Sequence, residues 1–199
     1  MSYSVVVIGT SWGGLMAMTT LFGPMPNDFP IPIVIVQHRS KDSDRLLPRL
    51  LQDKTALTVC EIEDKDPLEP GTIHIAPADY HAMLEPGFVS LTIEEPVRFS
   101  RPSIDVLFDS AANTYGPGAI GVILTGANED GSRGLANIVA RGGRALVQDP
   151  KTAEIPIMPL AALRAVPTAE KLTLEKIAER LIELSREELK PRRGRKTTV

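Results

Sequence analysis

"VVVIGTSWGGLMAM", residues 5–18, runs an apolar, β-branched stretch straight into glycines wrapped around one serine. "SVVVI" (4–8) reads as a strand and "GLMAMTTLF" (14–22) as the helix that follows it. A strand, a sharp turn and a helix in that order form the first unit of a βαβ protein with a mostly parallel sheet. The alternation continues downstream. "IPIVIV" (31–36) is the next strand, followed by a helix from about Ser43 to Asp53. "LTVCEI" and "TIHIA" are shorter strands, and "AMLEPGFVSLTI" is a hairpin turning at Pro86-Gly87. Ser103 precedes "IDVLFDSAANTY", where its hydroxyl can accept from a free amide and start a helix. "AIGVIL" (119–124) is a strand, "SRGLANIVARGG" a helix closed by a glycine pair, and "RALVQ" a strand. Thr173 caps a last helix, "LEKIAERLIELSREEL". The expected fold is three-layer α/β/α, doubly wound, with a mostly parallel sheet and a small antiparallel hairpin.

Strands as continuously apolar as "IVIV" and "GVIL" belong to a sheet buried on both faces. Ligands of such sheets bind beyond the carboxyl ends of the strands. Functional side chains should therefore cluster just after strands, and three do: Ser11, His38 in "VIVQHRS", and Asp130 in "TGANEDG". A nucleophile, a base and an orienting acid are what acyl transfer requires.

Each residue has a plainer alternative. Gly9-Thr10-Ser11-Trp12-Gly13 satisfies G-x-S-x-G, a turn that lifts a serine clear of its sheet. The same residues could form an ordinary corner with Ser11 as a helix cap, or a phosphate cradle. The cradle fits worst, because G-x-G-x-x-G and the lysine of the Walker pattern are absent. A lone histidine after a strand can be satisfied by backbone groups, and Asp130 could cap the helix from Ser132. The order Ser, His, Asp differs from the Ser, Asp, His of ordinary α/β-hydrolases, so a triad here sits on another scaffold.

The segments "VVVIGTSWGG", "QH", "APADYH", "RPSIDVLF", "GVILTGANEDGSRG", "LVQDP" and "MP" occur in an order that resembles the catalytic domain of CheB-type protein-glutamate methylesterases, over roughly residues 4–183. The resemblance implies that Ser11 is the nucleophile, His38 the base and Asp130 the residue that orients it. It also implies hydrolysis of glutamate γ-methyl esters on chemoreceptor helices with release of methanol, deamidation of some glutamines, and no organic cofactor. Backbone amides after Ser11, at Trp12, and in the Ala127 loop are candidates for the oxyanion hole. Arg101 in "RPSID" is a further candidate that could attract an acidic receptor surface, or else a solvated arginine ahead of a helix.

This chain departs from the family pattern at four places. Trp12 replaces the usual threonine, Arg39 an apolar residue, Ala127 a methionine, and Asn128 the second glycine of T-G-M-G-x-D-G. Asn tolerates a left-handed backbone, which would preserve the path of the loop. The substitutions leave the three catalytic types in place and put substrate choice in question. A non-catalytic or retargeted binding module is accordingly the alternative to an esterase. Family members typically carry a receiver domain, which is absent from these residues, so a constitutive enzyme, one controlled by a separate regulatory protein, and an excised domain all remain open.

Composition agrees with one globular domain, with 43% hydrophobic and 24% charged residues over 199 positions, and the resemblance implies that residues 1–189 form the catalytic domain. Five of the 22 basic residues fall in "KPRRGRKTTV", residues 190–199, which holds no acid, so 17 basic residues face 25 acidic ones in the rest. We expect that tail to be disordered, and an acidic body argues against nucleic-acid binding. No apolar run is long enough to span a bilayer and no basic leader precedes one, so a cytoplasmic protein without membrane insertion is expected. The single cysteine, Cys60, is expected in a buried strand role rather than as a catalytic thiol. No cysteine/histidine spacing suits zinc. His74 reads as a satisfied strand histidine, and Asp79 and His81 as structural residues.

Overall fold

The structure is a computed structural model and describes residues 3–39 and 46–186. Its ten strands are β1 (Val5–Thr10), β2 (Ile33–Gln37), β3 (Thr58–Glu61), β4 (Asp66–Pro67), β5 (Thr72–Ile75), β6 (His81–Glu85), β7 (Phe88–Thr92), β8 (Ala119–Ile123), β9 (Arg144–Gln148) and β10 (Glu170–Leu172). The helices are α1 (Gly14–Phe22), α2 (Leu46–Gln52), α3 (Ile104–Tyr115), α4 (Ser132–Ala140), α5 (Ile157–Ala165) and α6 (Leu174–Arg186). Seven strands form one parallel sheet in the order β10-β9-β8-β1-β2-β5-β3, and β4-β7-β6 form a small antiparallel sheet.

Period-two alternation splits β1 between two cores. Val5 and Val7 face one way, onto Ile104, Leu107 and Phe108 of α3, Leu135 and Ile138 of α4, and Met158 of α5. Val6 and Ile8 face the other way, onto Met18 and Leu21 of α1, Leu51 of α2, and Ile177 and Leu181 of α6. Every residue of β1 and β8 is buried, as a sheet covered on both faces requires. The sheet winds outward in both directions from β1, which pairs with β2 on one side and β8 on the other. The carboxyl ends of these three strands therefore surround the point where the winding reverses, the usual place for a site in such sheets.

The expected strands, the helix 14–22 and the hairpin at Pro86-Gly87 are present, with Gly87 at φ +89 in the two-residue turn. α5, β4 and β10 carry no clear signal in the sequence. α5 carries Pro159 and begins after Pro156, which hides it among proline turn signals. The edge strand β10 is three residues, "EKL", and β4 is two, too short for any periodicity to show. The expected start of α2 at Ser43 and the basic tail 190–199 lie outside the described residues, as does the last part of the helix expected to reach Leu189. Cys60 is half-buried rather than buried, because β3 is an edge strand. Burial, with Asp66 and Glu69 nearby, pushes its thiol up to about 11, which leaves it unsuited to nucleophilic work. His74 Nδ1 lies 3.4 Å from that sulfur and its Nε2 accepts from Glu69 N–H, so it is a satisfied strand histidine.

Candidate active site

The turn after β1 is shaped by glycines with different tasks. Gly13 has φ +79, and a side chain there would meet Glu154, so it is the residue that reverses the chain into α1. Gly9 lies inside the strand and is small because Ile104 of α3 packs directly against its backbone. Ser11 N–H donates to Thr125 O beyond β8, and Gln37 Nε2 donates to Ser11 O at 2.7 Å, which ties the serine to both neighbouring strands. The side chain is left out of this scaffolding. Gly13 rather than Ser11 occupies the cap position of α1, with no side-chain bond to the helix. The helix-cap alternative for Ser11 is therefore excluded.

His38 is set by its own amide, which donates to Thr10 O, and by its ring, whose Nε2 lies 2.8 Å from Asp130 Oδ2. The carboxylate is fully buried and accepts four hydrogen bonds: Oδ2 takes His38 and Ile104 N–H, and Oδ1 takes Ser103 Oγ–H and Asp105 N–H. Burial alone would raise its pKa. The hydrogen bonds from His38, Ile104 and Asp105 outweigh burial and hold the carboxyl below its usual range, so the ionised form persists.

Two expectations change here. Ser103 does precede α3, but its hydroxyl makes no cap bond to the helix; it donates to Asp130 instead. Asp130 in turn caps α3, not the helix from Ser132, because the two helices pack side by side with Asp130 at the open end of α3. Asp105, in the first turn of α3, accepts Gly134 N–H of α4, so each helix is capped by a carboxylate from the other's segment.

Ile104 is wedged between Gly9 and Gly131, and this close approach brings the α3 amides to Asp130. Gly131 has φ +89, and a methyl there would collide with Ile104 and stand 2.8 Å from Ile123 Cδ1. Gly131→Ala is expected to destabilise the fold by about 2–4 kcal/mol, read from the urea midpoint.

Ser11, His38, Arg39, Asp79, Phe99, Arg101 and Asn128 line a cleft of about 500 Å³ over this end of the sheet. A second hollow of about 330 Å³ continues past Trp12 to Met16. Trp12 is 66% exposed, with its indole N–H donating to Glu154 at 2.9 Å. Ala127 is exposed in the loop after β8, where Gly126 packs against Ser11 Cβ. Arg101 is held in the cleft wall: its guanidinium donates to Asp79 Oδ1 and to the carbonyls of Ile93 and Glu94, so its charge is paired. Arg39 is tied to Glu61 and Ala76 O. His81 Nδ1 accepts Ser103 N–H and so fixes the serine that supports Asp130. Among the described residues no group of three or more His, Cys, Asp or Glu could hold a metal ion, and no helix is long and apolar enough to cross a membrane.

The CheB methylesterase family model matches residues 6–181. The chain belongs to the CheB methylesterase family. A relative from Leptospira interrogans serovar copenhageni, provisionally named protein-glutamate methylesterase/protein-glutamine glutaminase, is 47% identical over 193 residues, covering 96% of this chain and 100% of that one. The protein-glutamate methylesterase FrzG of Myxococcus xanthus is 38% identical over 182 residues, 91% of this chain and 54% of FrzG. The crystal structure of the Thermotoga maritima CheB methylesterase catalytic domain superposes with a TM-score of 0.88 at 35% identity, covering 92% of this chain and 100% of that domain. The expected three-layer α/β fold is thus also the fold of a solved CheB catalytic domain.

Within this CheB-type domain three residues have supporting roles that strand position alone does not reveal. Gln37 holds the serine turn through the carbonyls of Ser11 and His38. Gln148 Oε1 accepts Thr125 N–H where β8 ends. Ser103, at a position that suggests a helix cap, instead donates its hydroxyl to the Asp130 carboxylate. All three lie within the "QH", "LVQDP" and "RPSID" segments that carry the family resemblance, the one signal that could have drawn attention to them.

Proposed function

We propose that this chain is a serine esterase that removes γ-methyl groups from glutamate side chains of chemoreceptor-like helices and deamidates glutamines at equivalent positions. The observation that carries it is the ionised, four-fold hydrogen-bonded Asp130 paired with His38 Nε2 in a cleft shared with Ser11, in a chain of the CheB methylesterase family.

Because Nε2 faces Asp130, the base is the other ring nitrogen, Nδ1. Ser11 Oγ attacks the ester carbonyl, its proton passes to His38 Nδ1, and the carbonyl π pair moves onto oxygen. The oxyanion is met by the backbone N–H groups of Trp12 and Ala127, neither of which has an acceptor among the described residues. Collapse expels methoxide, which leaves as methanol with the proton from Nδ1. Water then attacks the acyl-enzyme, giving its proton to the same nitrogen; the Oγ–C bond breaks as that proton passes from Nδ1 back to Ser11 Oγ, which frees the glutamate and restores the serine. With a glutamine the leaving group is ammonia.

Release of methanol from a methylated chemoreceptor fragment tests the function directly, and a folded protein that releases none would overturn it. The exposed Trp12 ring, steadied by Glu154, forms a platform beside the cleft for the helix that carries the ester. Trp12→Ala is expected to raise KM for the receptor fragment by about 5- to 30-fold while leaving hydrolysis of a small methyl ester nearly unchanged. Initial rates on the two substrates check it.

A further inference from the structure

The side-chain amide of Asn128 makes two hydrogen bonds that the scheme above does not use. Its Oδ1 accepts Asp130 N–H at 3.1 Å, which turns Nδ2 toward His38 Nδ1 at 3.3 Å. Reversing the amide would set an NH2 group against the Asp130 N–H, two donors face to face, so its orientation is fixed by its partners. The imidazole is fixed as well. Asp130 Oδ2 is an ionised acceptor, so Nε2 bears the ring proton and Nδ1 the lone pair. Asn128 therefore donates to the nitrogen that must take the proton of Ser11. Among the described residues no hydrogen bond joins Ser11 Oγ to His38.

Backbone geometry gives no competing reason for asparagine at this position. The non-glycine residues with positive φ are Lys65, Asp79, Arg98 and Phe99 among those described, and Asn128 is not one of them. The expectation that asparagine preserves a left-handed path is thus incorrect: an ordinary residue fits this backbone, and the distinctive contribution of Asn128 is its side chain.

Resting on the serine-esterase reading, we propose that Asn128 is a positioning residue for His38: it occupies Nδ1 in the free enzyme, holds the ring with Nε2–H toward Asp130, and releases the lone pair to Ser11 when the ester enters. Acylation then begins with an exchange of donors. The Nδ2–H···Nδ1 bond breaks, Ser11 Oγ–H···Nδ1 forms, and the proton crosses to Nδ1 as the Oγ–C bond forms. The bond displaced is one neutral hydrogen bond, long at 3.3 Å, so it slows attack by a factor of about 2–10.

Two measurements test this, neither of which uses a methylated receptor. The first is the second-order rate of Ser11 phosphonylation by a fluorophosphonate in the wild type, Asn128→Ala and Asn128→Gly. The second is the 15N resonance of His38 Nδ1 with and without Asn128→Ala in a Ser11→Ala background. Labelling is expected to be about 2- to 10-fold faster in both variants, and the Nδ1 resonance to move to that of an imine nitrogen without a hydrogen bond. An Nδ1 resonance that stays in place overturns the proposal. So does labelling that is equal or slower in variants whose Tm matches the wild type, which would make the amide idle or helpful. Asn128→Gly keeps the labelling test open if alanine disturbs the loop, since glycine adopts any backbone conformation. Failure to release methanol from a receptor, alongside faster labelling and a moved resonance, would count against the substrate and leave the role of Asn128 standing.

Discussion

Ser11→Ala is expected to lower methanol release from a methylated chemoreceptor fragment by a factor on the order of 10^4 to 10^6 while leaving the melting temperature unchanged. The loss of rate follows from chemistry: without Oγ there is no acyl-enzyme, and His38 and the oxyanion amides can only assist direct attack by water. The unchanged stability follows from structure. The serine is placed entirely by its backbone, through Ser11 N–H to Thr125 O and Gln37 to Ser11 O, and its hydroxyl caps nothing in α1. Methanol assay and thermal melt on one preparation check both halves. Retained release would transfer the nucleophile to another residue, and a marked drop in Tm would show that the hydroxyl has a structural role.

Asp130→Asn is expected to fail in both respects. An amide in place of the carboxylate presents an NH2 to donors, favours the wrong imidazole tautomer and stabilises no imidazolium, which lowers kcat by about 10^4. It also strands buried donors among the four that converge there, His38, Ser103 Oγ–H and the amides of Ile104 and Asp105, at a cost of about 2–5 kcal/mol. For a chain of this size that lowers Tm by roughly 4–20 °C.

The same carboxylate makes stability depend on acid. Its folded pKa is depressed, so its contribution is complete above the ordinary aspartate value of about 4 and is lost as pH falls through the lower folded value. Stability against pH in the wild type and in Asp130→Asn should diverge at neutral pH and converge in that acid range. Parallel curves would mean that the four bonds do not hold the charged form.

Much of this was legible in the sequence. Val5–Ile8, Ile33–Val36 and Ala119–Ile123 announce a doubly covered parallel sheet because each must bury both faces, and burial writes itself into consecutive apolar letters. Placing Ser11, His38 and Asp130 after those strands needed only the rule that sites lie beyond carboxyl ends. What stayed hidden were elements whose signal is short or interrupted, such as β10 and the proline-bearing α5, and pairings made across the fold. Ser103 looked like a local cap because serine before a helix often is one, and Asn128 looked like a backbone choice for a similar reason.

The chain by itself determined the layers of the sheet and the three residues gathered at its edge, since hydrophobic period and strand order are properties of sequence. Only the tertiary structure decided which helix Asp130 caps, where the Ser103 hydroxyl donates, that Arg101 is neutralised by Asp79, and which nitrogen of His38 Asn128 covers. The physical reason is that burial is written residue by residue along the chain, whereas a hydrogen bond depends on direction and a few tenths of an ångström between groups that folding brings together from distant segments.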